Sequence, residues 1–178
     1  TNIVAIDAET DGENGFTELN GASGVDTFTC GSRTYAIVAS YADNGVQLID
    51  ISVPTNIVAI DAETDGENGF TVLGGPEFVD TYTIGFSTYA IVASYTDSGV
   101  QMIDISNPTS PRLKDDETDD DDGEIETDFT MLDGANGVDT FTIGSSTYAI
   151  VASHTDDGIQ MIDISNPAAI DCIGQKTD

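Results

Sequence analysis

"TYAIVASYADNGVQLIDISVPTNIVA", residues 34–59, sets strand-like runs around one tight turn. Its runs "YAIVASY" (35–41) and "VQLIDIS" (46–52), continued by "NIVAIDA" (56–62), are rich in Val, Ile and Tyr and bounded by Asn, Asp, Gly or Pro. That is the vocabulary of strands and turns. Asp43-Asn44-Gly45 supplies residues that tolerate positive φ, which suits a hairpin between the second and third strands. Upstream, "GVDTFTCG" (24–31) adds another strand, so the unit has four. Tyr35 and Ile37 point one way and Ala36 and Val38 the other, while Val46 and Leu48 oppose Ile49 and Ile51. Both sheet faces are therefore covered. A small antiparallel four-stranded sheet buried on both faces is a propeller blade.

The unit recurs. Tyr35, Tyr89 and Tyr148 open "TYAIVAS" at spacings of 54 and 59 residues, and Ile49, Ile103 and Ile162 of "IDIS" keep the same spacing. A period of this size belongs to stacked supersecondary units that bury their apolar faces against neighbours. The expected fold class is all-β: repeated four-stranded antiparallel blades, β-propeller-like, with three blades forming an incomplete ring or one completed by other chains. We divide the single repeat domain (1–178) into a surplus N-terminal strand and acidic loop (1–23), blade 1 (24–62), an acidic loop (63–77), blade 2 (78–117), an acidic insertion (118–136), blade 3 (137–174) and a tail (175–178).

Residues 34–59, with "TYAIVASYTDSGVQMIDISNPTSP" (88–111) and "TYAIVASHTDDGIQMIDISNP" (147–167), resemble the LVIVD repeat of bacterial and archaeal surface proteins. The resemblance implies extracellular β-propeller blades with a role in surface architecture. It implies no particular chemistry, because propellers host enzymes, adhesins and scaffolds alike.

Propellers close with about 4–8 blades, so three must borrow from elsewhere. Fourth-strand segments also outnumber blades: "NIVAIDA" stands at 2–8 and 56–62, "TSPRLKDDE" at 109–117 and "AAIDCIG" at 168–174. Residues 2–8 are expected to leave their own chain and complete a sheet edge in a neighbour, with blade 2 the candidate acceptor because Pro111 and Arg112 spoil its own fourth strand. A cut through a longer array would give the same surplus. The expected partner is thus the chain itself, as an oligomer or filament.

Four Lys/Arg against 33 Asp/Glu give a net charge of −29, which repels nucleic acid and anionic membranes and attracts cations. No run approaches the about 20 apolar residues of a membrane-spanning helix. The chain opens directly in a β-like segment, as a processed product or a piece of something longer would. Asp7, Glu9, Asp11 and Gly12, followed by Glu18 at the twelfth position, have the spacing of a calcium loop, in which alternate oxygens converge on one hard cation. The second copy keeps Asp61, Glu63, Asp65 and Gly66 but has Val72 at the twelfth position. The third keeps Asp120, Asp122 and Gly123, with further acids at Glu124, Glu126 and Asp128. Calcium is the expected cation; solvated acidic loops are the alternative.

Cys30 and Cys172 depart from the repeat and are candidates for one disulfide, within or between chains, or for buried thiols. Asp26, Asp80 and Asp139 of "VDT" are expected to hydrogen-bond to turn backbone. His154 stands where Tyr41 and Tyr95 stand, with no nucleophile beside it. Because each conspicuous acid repeats by blade, we expect no enzyme. The expected role is an extracellular structural protein that self-assembles into a filament or layer, or alternatively an adhesin that binds carbohydrate or protein through blade loops.

Overall fold

Residues 3–119 and 129–177 are described by a computed structural model. Asp120, Asp122 and the rest of the third acidic segment through Asp128 lie outside them. Three four-stranded antiparallel sheets follow one another. Blade 1 comprises β1 (Ala22–Cys30), β2 (Arg33–Ser40), β3 (Gly45–Asp50) and β4 (Val58–Thr64). In blade 2 the strands are β5 (Pro76–Ile84), β6 (Ser87–Ser94), β7 (Gly99–Asp104) and β8 (Arg112–Thr118). Blade 3 has β9 (Ala135–Ile143), β10 (Ser146–Ser153), β11 (Gly158–Asp163) and β12 (Asp171–Thr177). In each sheet the strands lie in chain order, so every connection within a blade is a hairpin.

The central hairpins form where the sequence places them. Asn44, Ser98 and Asp157 take φ of 56°, 51° and 51°. The glycine that follows serves a different need. A Cβ on Gly45 would stand 2.6 Å from the carbonyl oxygen of Glu63 and closer still to Glu18 Oε2, so the fourth strand passes too near for any side chain.

Fourth strands begin later than their apolar runs suggest. Asn56 N–H donates to Val53 (2.8 Å), Ser110 N–H to Asn107 (2.9 Å) and Ala169 N–H to Asn166 (3.0 Å), each closing a turn before pairing starts. Blade 2 has its own fourth strand after all. β8 pairs with β7 from Arg112 opposite Asp104 to Thr118 opposite Gly99. Pro111 precedes the ladder and owes it no N–H, and Lys114 reaches Asp104 at 3.3 Å. Blade 2 is therefore no acceptor for residues 2–8. Residues 3–10 lie in no strand, because no third strand stands beside them among the described residues. Ile3, Val4 and Ile6 are 104%, 72% and 64% exposed.

The cores lie between blades. Ile37, Ala39, Val46 and Leu48 on one face of blade 1 meet Ala90, Val92, Ile103 and Ile105 of blade 2. One period later, Ile91, Ala93, Val100 and Met102 meet Ala149, Val151, Ile162 and Ile164 of blade 3. Into each layer the preceding connection drops two apolar side chains, Phe70 with Leu73 and Phe129 with Leu132. First strands are fastened by a polar stitch: Asp26 Oδ2 accepts from Thr81 N (2.8 Å) and Oγ1 (2.5 Å), and Asp80 Oδ2 accepts from Thr140 N (2.8 Å). These aspartates bind the next blade, not turn backbone.

Cys30 and Cys172 are not disulfide-bonded. Cys30 packs in the layer between blades 1 and 2 and Cys172 against that between blades 2 and 3, so the two thiols lie in different layers.

Among the described residues no blade covers either outer face. Val46 and Val100 are fully buried, whereas Ile159 at the same place in blade 3 is 39% exposed. Tyr148, Ile150 and Met161 beside it are half-buried and Ala152 is exposed. At the other end, Ala36 and Ile49 of blade 1 are covered by Phe16 from the chain's own first loop. Met102 and Met161 thus make a controlled pair. Met102→Ala is expected to cost about 2–5 kcal/mol in chemical denaturation, as for a filled core site. Met161→Ala in dilute protein is expected to cost clearly less.

Candidate functional site

Two loops carry most of the acids singled out from sequence, and they share one fold. Gly12 N–H donates to Phe16 O and Gly66 N–H to Phe70 O, both at 2.7 Å. Gly12 and Gly66 have φ of 79° and 77°, which glycine adopts without strain. The carboxylates are spread over separate tasks. Asp7 Oδ2 accepts from Ile57 N (2.8 Å), Glu9 from Asn14 Nδ2 (2.8 Å), and Asp11 from Leu19 N (3.2 Å). In the second loop Asp61 accepts from Ala62 N (3.0 Å), Glu63 from Asn68 Nδ2 (3.0 Å), and Asp65 from Leu73 N (3.2 Å).

Asp61 and Glu63 lie in β4, where extended backbone sets alternate residues about 6.6 Å apart along the strand. Wrapping around one ion needs a tighter path. Among the described residues no three acidic, histidine or cysteine side chains are grouped to hold a metal. Asp11 and Asp65 instead fix the turn that delivers Leu19 and Leu73, and Asp119 does the same by accepting from Leu132 N at 2.9 Å.

Glu18 is the exception. It is 9% exposed, its Oε1 accepts from Thr64 Oγ1 (2.8 Å), and its Oε2 is buried with no hydrogen-bond partner among the described residues. The same place in the second loop holds Val72, buried against Gly99. An apolar residue fills this place in the second copy, whereas in the first it is filled by a buried carboxylate beside Thr64. Burial raises its pKa above the usual carboxylate value; the Thr64 bond opposes this, and Asp43, Asp11 and Glu67 add to it. Glu63 is raised by burial too, against the bond from Asn68.

Sequence reading passed over the residues that hold the loops. Gln47 Oε1 accepts from Thr17 N (2.9 Å) and Glu18 N (3.2 Å), while its Nε2 donates to Asp61 O at 2.8 Å. Gln101 repeats this with Thr71 N, Val72 N and Asp115 O. A glutamine at the centre of the third strand in all three copies was the available signal, since a buried amide must be satisfied on both ends. Hairpin aspartates add a second clamp: Asp43 accepts from Asn20 N (2.7 Å), Asp97 from Gly74 N (2.5 Å) and Asp156 from Asp133 N (2.8 Å).

At the hairpin ends Tyr41, Tyr95 and His154 form a file with ring centroids 6.5 and 6.2 Å apart. Tyr41 and His154 are exposed. The repeat's odd histidine therefore continues an aromatic row.

The LVIVD repeat family model matches residues 88–117 and 145–177. Those stretches hold β6 to β8 and β10 to β12, and the first copy has the same strands in the same register. No curated protein matches the chain. Among solved structures, a functionally unknown protein from Desulfotomaculum acetoxidans is similar at TM-score 0.63 and 11% identity, covering 87% of this chain and 42% of that one. An exo-beta-1,3-galactanase from Phanerochaete chrysosporium is similar at TM-score 0.61 and 14% identity, covering 98% and 42%. A Lactobacillus plantarum protein reaches 0.54 at 14% identity, covering 80% and 39%. The likeness is one of β-propeller-like fold, and the chain spans about two fifths of each of these proteins.

Replacing Glu18 with the residue of the second copy tests the cost of this buried carboxylate. A carboxyl whose folded pKa lies above its unfolded value loses stability as pH rises from the unfolded pKa through the folded one. The wild type is thus penalised at neutral pH. Glu18→Val is expected to raise neutral-pH stability by about 0.5–2 kcal/mol, as consensus changes do. The gain should shrink as pH falls toward the unfolded carboxylate value, measured as denaturation midpoints across pH.

Proposed function

For a chain that carries LVIVD repeats, we propose a structural role: the open end of blade 3 in one copy stacks on the leading face of blade 1 in the next, building an extracellular filament or surface layer. The exposure of Ile159, where Val46 and Val100 are fully buried, carries this reading. The outer faces are the two halves of a layer that the chain assembles twice internally. Blade 3 presents Tyr148, Ile150 and Met161, in the places of Tyr89, Ile91 and Met102. Blade 1 supplies Ala36, Val38 and Ile49, in the places of Ala90, Val92 and Ile103, with Phe16 already over Ala36 and Ile49 as Phe70 is set in the layer between blades 1 and 2.

The polar stitch ends in the same complementary way. Asp139 at the trailing end receives no hydrogen bond from the described residues, and Thr27 N–H at the leading end folds back on its own Asp26 at 2.7 Å. Different patches joined head to tail propagate unless the rotation closes a ring.

The −29 charge opposes such contact, so cations enter as counter-ions. Calcium, bound along the acidic loops, is the cation we assign to this role. A catalytic role is not part of the reading, since the acids recur blade by blade and acid–base chemistry needs unequal partners. The row of Tyr41, Tyr95 and His154 favours a second reading, an adhesin whose exposed rings are platforms for a ligand's apolar face.

Sedimentation velocity and negative-stain electron microscopy over a wide concentration range test the first. Polymers are expected to grow with concentration, more so with added calcium. Ile159→Asp should remain folded and monomeric. A wild-type monomer at every concentration and calcium level refutes assembly, and the absence of heat on titrating calcium into chelator-treated protein refutes the calcium role.

A further inference from the structure

Stacking blade 1 on another copy's blade 3 brings two segments to one sheet edge. Residues 4–10 and β4 are both "VAIDAET", so the chain holds the same seven-residue fourth strand twice, once paired and once not. The unpaired copy already lies where a preceding blade's fourth strand runs. Asp7 Oδ2 accepts from Ile57 N at 2.8 Å, and in the blade 2 to blade 3 contact Asp115 Oδ2 of β8 accepts from Ile170 N at 2.9 Å. Asp7 and Asp115 are the same register position, as are Ile57 and Ile170. The loop that follows repeats too, through Glu9 with Asn14 and Glu63 with Asn68. In a stacked pair, residues 4–10 of one copy therefore fall on the place held by β12 of the other.

Resting on the stacking reading above, we propose that residues 4–10 are a donor strand that replaces β12 on β11 of the neighbouring copy. The acceptor fits: β11 reads "GIQMID" where β3 reads "GVQLID". The β3–β4 register then sets Thr10 opposite Gly158, Glu9 opposite Ile159, Asp7 opposite Met161 and Val4 opposite Asp163, with the bulge at Ile6. Exchange satisfies main-chain groups that residues 4–10 leave outside any ladder, and it moves exposed Val4 and Ile6 into a strand. β12 matches β4 only at its third and last positions, Ile173 and Thr177, which makes it the strand that gives way.

The experiment mixes two variants, each in a Cys30→Ser/Cys172→Ser background: Glu9→Cys and Ile159→Cys. Under oxidised glutathione the mixture is expected to form a covalent heterodimer joined only between those positions. Adding Val4→Pro/Ala5→Pro, both on the regular side of the bulge, to the Glu9→Cys chain should abolish it. Adjacent strand residues send their N–H groups to opposite sides, so one of the two prolines removes a ladder bond. Residues 3–10 are in no strand of the free chain, so circular dichroism and thermal unfolding of this variant should match its parent. If the prolines leave both cross-link and polymer unchanged, or if polymers form without any cross-link, strand exchange is overturned and stacking stands. A parent chain that never associates overturns both.

Discussion

Each blade is apolar on both faces, and this is the constraint from which the rest follows. A sheet of this kind cannot be stable alone; it needs another blade on either side. Within the chain the need is met twice, in layers where Ile103 and Ile162 are wholly buried. At the ends it is met partly, by Phe16 over blade 1, and not at all over much of blade 3. Assembly is the physical answer to an unmatched face, and the repeat already contains the matching one.

Polar groups fix how blades meet. Burial of apolar area is non-directional, so it holds blades together without aligning them. Alignment comes from Asp26 and Asp80 reaching the next first strand, and from Gln47 and Gln101 pinning each incoming loop to the third and fourth strands. The acidic loops belong to this apparatus. Most of their carboxylates accept backbone N–H groups or asparagine amides, so high acidity and local order come from the same residues.

Much of this was legible. The period, four strands per unit and positive φ in the Asp-X-Gly hairpins are local or repetitive properties, and the structure has them. What was not legible depends on neighbours. Calcium spacing in "DAETDGENGFTE" reads as a wrapped loop only if its backbone curls, whereas Asp61 and Glu63 sit in a strand extended by β3. Glu18 looks like a twelfth ligand beside a lost one at Val72. In space, Val72 is a buried apolar residue and Glu18 a buried carboxylate beside Thr64. Residues 2–8 have the letters of a strand, yet a strand exists only where another chain segment offers its edge. Pro111 looked disruptive because its place just outside the β8 ladder could not be read from sequence.

Hydrogen–deuterium exchange at several protein concentrations addresses the central claim most directly, that the outer face of blade 3 is an interface. Amides of residues 148–163 should gain protection as concentration rises, together with those of 4–10, while residues 89–104, already between two blades, should not change. Uniform, concentration-independent protection across all three blades would contradict the account.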